Sequence, residues 1–554
     1  MTSAYSRLPR DFLDHRTAGK AGIIEVRMGS SAPVSFGAGF VWPSSAPVTA
    51  LEYDSRRAGP GSLYFALPGL HADGHEFIAG AVKRGAVAVV HEKELAEYRE
   101  GVLYIRVKDS RFSMSSVADS YYGFPSRHMG IVGVTGTEGK STTVYLIYQL
   151  LRLLGKKAGF VSTVMQGDGR EDRWNSEHQT TPEAVTTHRL LADMYRNGAE
   201  FAVLESSSHG LSKRTNRLGD VDFDVGVMTN VTHEHLEFHG TWEQYRSDKA
   251  ELFRALDSSP STHRKQCAAG DFSVPSFGVV NADDPSAAFF AAATKHRTYS
   301  FSTRGAEADL SVRLIESGAG GNWYEVFVES TGSVITLRDQ LPGAFNAGNV
   351  LAALLVVSGL LSLGIEELAL LVPYLKPVRG RMTAIHRGQP FEVLVDYAHT
   401  PSSFETVFPP LRERLNSTGG RLISLFGSAG ERDTQKRFLQ GKIAARYSDL
   451  VFLTDEDPRG EEPMTILEEI AKGCEADQGC EVTRRMIRNE TLFLIPNRPL
   501  AIRKAFSLAQ QGDLVLLLGK GHENSIIYAA GPTPYDEFSE AEKALEEAGF
   551  SIKQ

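Results

Sequence analysis

The stretch 131–155 constrains this chain more than any other. The β-branched run IVGVT at 131–135 stops at a turn of glycine and small polar residues, and TTVYLIYQLLRLLG at 142–155 then continues with apolar residues at helical spacing. A buried strand, a glycine loop and a helix in that order predict a parallel α/β sheet with the loop at the carboxyl end of its strand. The loop reads Gly133-Val-Thr-Gly136-Thr-Glu-Gly139-Lys140-Ser141-Thr142-Thr143. Backbone amides at a helix start, aided by the aligned peptide dipoles, can cradle phosphates. Lys140 would reach the β and γ phosphates and Ser141 would hold Mg2+. The general phosphate-loop spacing is not met, because Val134 stands where its first glycine belongs. A glycine turn carrying a surface lysine is the bland alternative; the strand before and the helix after count against it.

The same alternation extends in both directions. LYFAL at 63–67 reads as a strand, and HEFIAGAVKRGAVAVV at 75–90 as a helix, a turn and a buried strand. FAVLE at 201–205, GVMTN at 226–230 and FGVVN at 277–281 add strands around the glycine loop. A second series follows Val378: VLVD at 393–396, LISLF at 422–426, VFLT at 451–454 and LVLLL at 514–518. Each runs into a polar cluster, DYAHTP, GSAGERD, DEDPRGEE and GKGHEN, at the strand end where open parallel sheets bind ligands. Breaks at Pro125 and Val378 divide the chain into 1–125, 126–378 and 379–554, as roughly 100–200 residues per domain predicts for 554 residues. The first 45 residues give weak signals. The apolar stretch 351–363 is too short to span a bilayer and reads as a buried helix.

A net charge of -9 and a pI near 6.0 argue against a nucleic-acid partner. Three cysteines, Cys267, Cys474 and Cys480, give no disulfide framework and suit a reducing compartment; Cys474 and Cys480 have no histidine nearby and read as incidental rather than as metal ligands. The N-terminus lacks a signal-type apolar core, so a soluble cytoplasmic protein without membrane insertion is expected.

The sequence T-G-T-x-G-K-S-T at 135–142 is similar to the ATP loop of the Mur ligases and their folylpolyglutamate synthase relatives. Further motifs narrow the resemblance: DSR at 54–56, DGHEFI at 73–78, TTPEA at 180–184, SSHGL at 207–211, NADD at 281–284, GAFNAGN at 343–349, GRM at 380–382, VDYAHTP at 395–401 and GKGHE at 519–523. From residue 53 to 523 the chain resembles the Mur ligase family. That resemblance implies an α/β fold of three domains: an N-terminal UDP-binding domain, a central P-loop ATPase domain with a parallel sheet, and a C-terminal doubly wound, Rossmann-like domain for an amino acid. It implies an ATP-dependent amide ligase of peptidoglycan precursor synthesis, expected as a monomer. ATP phosphorylates the D-glutamate carboxylate of UDP-N-acetylmuramoyl-L-alanyl-D-glutamate; the amine of a diamino acid attacks the acyl phosphate, and ADP and phosphate are released. Meso-diaminopimelate is the favoured diamino acid, with L-lysine and L-ornithine open.

Carried over residue by residue, the resemblance assigns catalysis to Lys140, Lys249 and His235, and metal binding to Ser141, Glu205 and His235. ATP would contact Gly136, Thr137, Glu138, Gly139, Lys140, Ser141 and Thr142, with Asn281, Arg381 and Asp396. Lys249 corresponds to a lysine carbamylated by CO2, although its local sequence alone reads as a solvated helix lysine. UDP-muramoyl dipeptide binding falls on Tyr53, Ser55, Leu70, His71, Ala72, Gln179, Thr180, Thr181, Ser207 and Arg217. The segment SKRTNRLGD at 212–220 is longer than the family pattern, so Arg214 competes with Arg217 for the substrate arginine role. Amino-acid binding falls on Arg432, Glu456, Asp457, Pro458, Arg459, Gly519 and Glu523. Diaminopimelate-adding members read D-N-P-R where this chain reads E-D-P-R at 456–459, so Asp457 introduces a charge that could neutralise Arg459. Gln179, Ser206 and Glu234 are further departures.

Two rivals remain at this level. A folylpolyglutamate synthase-like ligase would share the loop but not VDYAHTP, the D-P-R cluster and GKGHE together. A non-catalytic nucleotide-binding scaffold would not need Lys140, Glu205 and Lys249 all at once.

Overall fold

The structure, a computed structural model, describes residues 7, 9–35, 46–69, 72–175, 179–232, 236–267, 270–318, 321–476 and 486–551. They form two compact units. The first comprises 1–314, 324–337 and 347–372; the second comprises 315–323, 338–346 and 373–554.

The first unit holds two large sheets, beside the hairpin of Thr262–Cys267 and Gly270–Pro275. In the N-terminal one, strands Ala50–Glu52, Ser62–Phe65, Ala88–His91 and Leu103–Val107 run parallel, and Ile23–Met28 and Val34–Ser35 close the far edge antiparallel. Ile23–Met28 lies in the segment whose sequence signals are weak. Its half-buried pattern suits its place next to the sheet edge, covered on that side only by the two-residue strand Val34–Ser35.

The second sheet places Ala158–Val161, Phe201–Glu205, Gly130–Thr135, Val225–Met228, Phe277–Asn281 and Thr298–Ser302 side by side, all parallel. The four strands read from sequence are among them. Gly130–Thr135 is buried at every residue because helices cover both faces, which is why it reads as a continuous apolar run rather than an alternation. Helix Lys140–Leu153 follows it. The residues read as a buried helix lie in Asn346–Leu361, with Leu351, Ala352, Ala353 and Leu354 fully buried.

The break at 123–129 is a locked turn. Phe124 takes a left-handed φ of 55°, and Pro125–Arg127 forms a single 3-10 turn. Ser126 Oγ accepts from Asp222 N at 3.1 Å, and its carbonyl accepts from the buried Lys265 Nζ at 2.8 Å. Helices Ser110–Tyr121 and Ala184–Arg196 share one core across this joint, through Met114, Val117, Val185 and Ala192.

In the second unit, the parallel strands Glu392–Asp396, Leu514–Leu518, Leu422–Phe426, Leu450–Leu453 and Leu492–Leu494 lie in that order, with Thr383–Ala384 antiparallel at one edge. Alternate residues sort to opposite faces: Leu394, Leu422 and Phe426 join Phe404 and Phe408, while Val393, Ile423 and Phe452 join Ile502 and Phe506. This is the doubly wound arrangement expected. Among the described residues no helix is long and apolar enough to cross a membrane.

Candidate active site

In the first unit, the glycine loop leaves strand Gly130–Thr135 and enters helix Lys140–Leu153 through Gly139, whose φ is 80°. Gly136 is compelled by a close approach: a Cβ there would fall 1.9 Å from Thr229 Oγ1. The end of the neighbouring strand braces the loop. Glu138 N donates to Asn230 Oδ1 at 2.9 Å, and Thr229 Oγ1 donates to Glu138 O at 2.6 Å. Lys140 Nζ folds back onto Thr137 O at 2.7 Å. Ser141 and Thr142 are buried in the helix's first turn.

Glu205 ends its strand beside this loop and is buried. Its Oε2 accepts from Ser141 Oγ at 2.8 Å and from Thr163 N at 2.7 Å. Its backbone carbonyl accepts from Thr181 Oγ1 at 2.8 Å. Thr181 in turn accepts from Ser207 N and from Ser207 Oγ, each at 3.0 Å. The glycine loop and the loop 180–184 therefore meet on one residue. The hydroxyl and carboxylate oxygens of Ser141 and Glu205 are hard donors of the kind Mg2+ takes. His235, the third expected donor, lies outside the described residues, as do Leu70 and His71.

Lys249 is not the solvated helix lysine its local sequence suggests. It is buried in helix Trp242–Leu256, its Nζ donating to Gly136 O at 2.5 Å and lying 4.5 Å from the Tyr245 ring centroid. Tyr245 OH lies 3.1 Å from Thr137 Oγ1. Its neighbour Asp248 accepts from Gln244 and lies 2.7 Å from His239 Nδ1; the other ring nitrogen, Nε2, meets Ser208 Oγ at 3.1 Å. Burial raises the Asp248 carboxyl, but these hydrogen bonds outweigh it and hold the group below its ordinary value. Sequence reasoning missed this buried His239–Asp248 link, which ties the Lys249 helix to Ser208, the first residue of the short helix Ser208–Leu211.

Arg217 and Arg214 separate clearly. Arg217 donates to Thr181 O at 3.0 Å and to Glu183 Oε1 at 2.8 Å, within the 180–184 loop. Arg214 donates to Phe238 O at 2.5 Å and covers the Phe238 ring. Gln179 is exposed and Thr180 half-buried. Tyr53 and Ser55 are half-buried at the turn after strand Ala50–Glu52, and Ala72 is exposed before Asp73. Ion pairing with Lys93 and hydrogen bonds from His75 hold the Asp73 carboxyl below the usual range. Asn281 Nδ2 donates to Thr229 O at 2.9 Å, anchoring the strand end that braces the glycine loop.

In the second unit, the polar clusters gather at the carboxyl ends of the parallel strands. Both Asp396 oxygens accept from backbone, Met382 N and Ala398 N, each at 2.7 Å. Burial nonetheless pushes the Asp396 carboxyl up. Asp396 thus shapes the turn that carries Arg381, whose guanidinium lies 4.9 Å from the Tyr397 ring centroid. Glu456, Asp457 and Pro458 are buried, and Arg459 is half-buried at a left-handed φ of 55°. Gly519 has φ 95°, and a Cβ there would lie 2.9 Å from Glu456 Oε2. Arg432 is exposed on the 427–433 loop.

The charge Asp457 introduces does not meet Arg459. Asp457 Oδ1 accepts from Lys520 Nζ at 2.9 Å, and Lys520 also donates to Glu523 Oε2 at 2.5 Å. Lys520, embedded in the GKGHE motif, went unremarked as a site residue in sequence. Its burial depends on two acids, 63 residues upstream and 3 downstream, so only the second is a local signal.

Residues 47–122 match the Mur ligase family catalytic domain, 134–357 the Mur ligase middle domain, and 380–521 the Mur ligase glutamate ligase domain. A UDP-N-acetylmuramyl-tripeptide synthetase of Treponema pallidum (strain Nichols) is 50% identical, across 91% of this chain and 94% of that one. The chain belongs to the Mur ligase family. Like other Mur ligases it is an ATP-dependent ligase. A UDP-N-acetylmuramoyl-L-alanyl-D-glutamate--2,6-diaminopimelate ligase of Geobacillus kaustophilus (strain HTA426) is 36% identical, across 91% of this chain and 96% of that one. A solved structure of a ligase of the same description superposes with a TM-score of 0.58 at 26% identity, covering 93% of this chain and 98% of that one. The α/β fold of Mur ligases is the fold found here.

Proposed function

We propose that this Mur ligase joins a diamino acid to the D-glutamate of UDP-N-acetylmuramoyl-L-alanyl-D-glutamate, through an acyl phosphate, with release of ADP and phosphate. The observation that carries this reading is Glu205. Its carboxylate takes the phosphate-loop Ser141 hydroxyl, and its carbonyl takes Thr181 of the loop proposed to hold the dipeptide. One buried residue thus indexes the two anions that must react.

Each group has a role its chemistry suits. Gly136 to Thr142 supply amides and hydroxyls to the phosphates, and Lys140 turns from Thr137 O to the transferring phosphoryl group, where its charge offsets the repulsion between ATP and carboxylate. Ser141 and Glu205, with His235, would hold Mg2+, which when bound adds Lewis-acid stabilisation of phosphoryl charge. Carbamylation of Lys249 would convert a buried ammonium beside Gly136 into a carboxylate. Thr181, Ser207 and Arg217 hold the dipeptide, with Gln179 and Thr180; Tyr53, Ser55, Leu70, His71 and Ala72 hold the UDP. Arg381, on the turn fixed by Asp396, and Asn281 serve the nucleotide. Arg432, Glu456, Asp457, Pro458, Arg459, Gly519 and Glu523 frame the amino-acid site, with meso-diaminopimelate the favoured substrate and L-lysine or L-ornithine the alternatives. Domain boundaries fall at 125 and 378, and the protein acts as a cytoplasmic monomer.

The test is phosphate release from ATP by the purified protein. Release should require both the UDP-muramoyl dipeptide and a diamino acid. Release with a folyl substrate, or with neither added, would count against the reading.

A further inference from the structure

Arg111 stands in the first turn of helix Ser110–Tyr121, two residues after the cap residue Asp109. The backbone on either side of it is pinned. Ser110 Oγ donates to Ala66 O at 2.9 Å and Ser110 N to Glu92 Oε1 at 2.7 Å, while Phe112 N donates to Asp109 Oδ1 at 2.7 Å. The guanidinium is held less firmly. Its Nη2 donates to Pro68 O at 3.4 Å, and its Nη1 lies 3.6 Å from Glu183 Oε1. Charge-assisted bonds ordinarily span about 2.7–2.9 Å, so both contacts are loose. Glu183 does not rely on Arg111, because Arg217 Nη2 donates to the same oxygen at 2.8 Å. The acid is 9% exposed and the Arg111 side chain 26%, so Glu183 is spent on Arg217 while the charge of Arg111 reaches solvent. The two contacts of Arg111 fall on two loops. Pro68 pairs with Asp73 across the base of the segment carrying Ala72, placed above at the UDP. Glu183 belongs to the loop of Thr180 and Thr181, placed above at the dipeptide. A substrate held by both loops carries its diphosphate between them, and phosphate charges leave water only where a cation or donors meet them.

We propose that Arg111 binds the diphosphate of the UDP-muramoyl dipeptide, its guanidinium turning from Pro68 O and Glu183 to grip phosphate oxygens. This rests on the substrate proposed above. The planar fork of N–H donors matches phosphate oxygens two at a time, which a lysine ammonium does not. The turn costs little, since it gives up one long hydrogen bond and one long, part-exposed ion pair. Arg217, committed to Thr181 O and Glu183, stays with the dipeptide loop. The rival role for Arg111 is a brace that ties the two loops together, and a brace would serve a substrate with or without phosphates alike.

The experiment compares the parent with R111M and R111K at saturating ATP and diamino acid. Two substrates are used: UDP-N-acetylmuramoyl-L-alanyl-D-glutamate, and N-acetylmuramoyl-L-alanyl-D-glutamate lacking the UDP. R111M should raise KM for the UDP substrate by at least about tenfold, the scale of one charge-assisted contact, with kcat within about threefold of the parent. Its kcat/KM for the substrate without UDP should stay within about twofold of the parent. R111K keeps the charge but loses the fork, and its KM for the UDP substrate should fall between those of the parent and R111M. A parent that ligates neither substrate would sink the ligase reading and this proposal with it. A parent that ligates the UDP substrate, with R111M costing both substrates equally or neither, would overturn the role of Arg111 alone and leave the ligase standing. Should R111M not fold, R111K decides: it should lower the preference for the UDP substrate by at least about threefold, and an unchanged preference rejects the proposal.

Discussion

Ser141 donates its hydroxyl hydrogen to Glu205 across 2.8 Å, joining the first turn of a helix to the end of a strand 64 residues later. The same carboxylate oxygen accepts Thr163 N. A glutamine in its place could keep an oxygen for both donors while removing the charge. Glu205→Gln should therefore fold normally, yet need far more Mg2+ and lose at least about 100-fold in kcat, as when one electrostatic group is removed from a preorganised site. A magnesium titration of ligation checks this, and an unchanged Mg2+ requirement would remove Glu205 from the metal site.

Lys140 makes one side-chain hydrogen bond, to Thr137 O, on a loop already braced by Thr229 and Asn230. Its removal costs the fold little. Lys140→Ala should abolish ligation while unfolding within a few degrees of the parent. An unfolded variant, or one that keeps most of its activity, would contradict the assignment.

Lys249 is buried against the Gly136 carbonyl. If it is carbamylated, protein equilibrated with 13C-bicarbonate should show a carbamate carbon resonance that Lys249→Ala lacks. The variant should be nearly inactive and regain activity in part with added short carboxylates. Full activity in an enzyme without the carbamate resonance would rule the modification out.

What could be read from sequence was local. Gly136, Gly139 and Lys140 announce themselves because a strand, a turn and a helix follow within one short stretch, and LVLLL and LISLF are long enough to be central strands. What could not be read rests on distant partners. Asp224 is fully buried, with Lys265 at 3.1 Å and His263 at 2.8 Å from a hairpin with no apolar periodicity. Lys249 reads as solvated and Lys520 goes unremarked, since burial of a lysine depends on carbonyls and acids that the chain brings together only on folding. Glu523 could be placed in the amino-acid site from its motif, but not its commitment to Lys520.

Asp119 and His188 form another such pair, buried where helices Ser110–Tyr121 and Ala184–Arg196 meet, with Oδ1 3.4 Å from Nδ1. Burial, reinforced by Asp220, pushes the Asp119 carboxyl up to about 8, against the opposing pull of Arg127 and Lys20. Burial holds His188 down to about 4. Because the folded value for Asp119 lies above its unfolded value, its contribution is fully present below about pH 4 and is lost as pH rises toward 8. His188 works oppositely: its contribution is present above 6.5 and is lost as pH falls toward 4. Asp119→Asn removes only the first. Its stability relative to the parent should grow from pH 5 to 8, reaching at least about 1 kcal/mol. Urea unfolding across that range measures it, and a flat difference would refute the neutral, buried carboxyl.

In the proposed amino-acid site, the choice of diamino acid is expected to turn on Arg459. Its backbone N–H donates to Ile527 O at 2.8 Å, fixing the turn that presents the side chain. Asp457, the residue best placed in sequence to neutralise it, is taken by Lys520. The guanidinium is thereby left to grip a carboxylate through paired N–H donors. Meso-diaminopimelate has that carboxylate at its far end; lysine and ornithine do not. A charge-assisted hydrogen bond contributes roughly 1.5–3 kcal/mol, so Arg459→Ala should weaken diaminopimelate by about 10- to 150-fold and leave lysine nearly unaffected. The parent should also prefer diaminopimelate when the three amino acids compete. A parent that prefers lysine or ornithine, with that preference untouched by the substitution, would overturn the carboxylate clamp while leaving the ligase intact. In that event the buried, unpartnered Glu456 oxygen becomes the dominant contact, and Glu456→Gln rather than Arg459→Ala should then abolish selection of the side-chain amine.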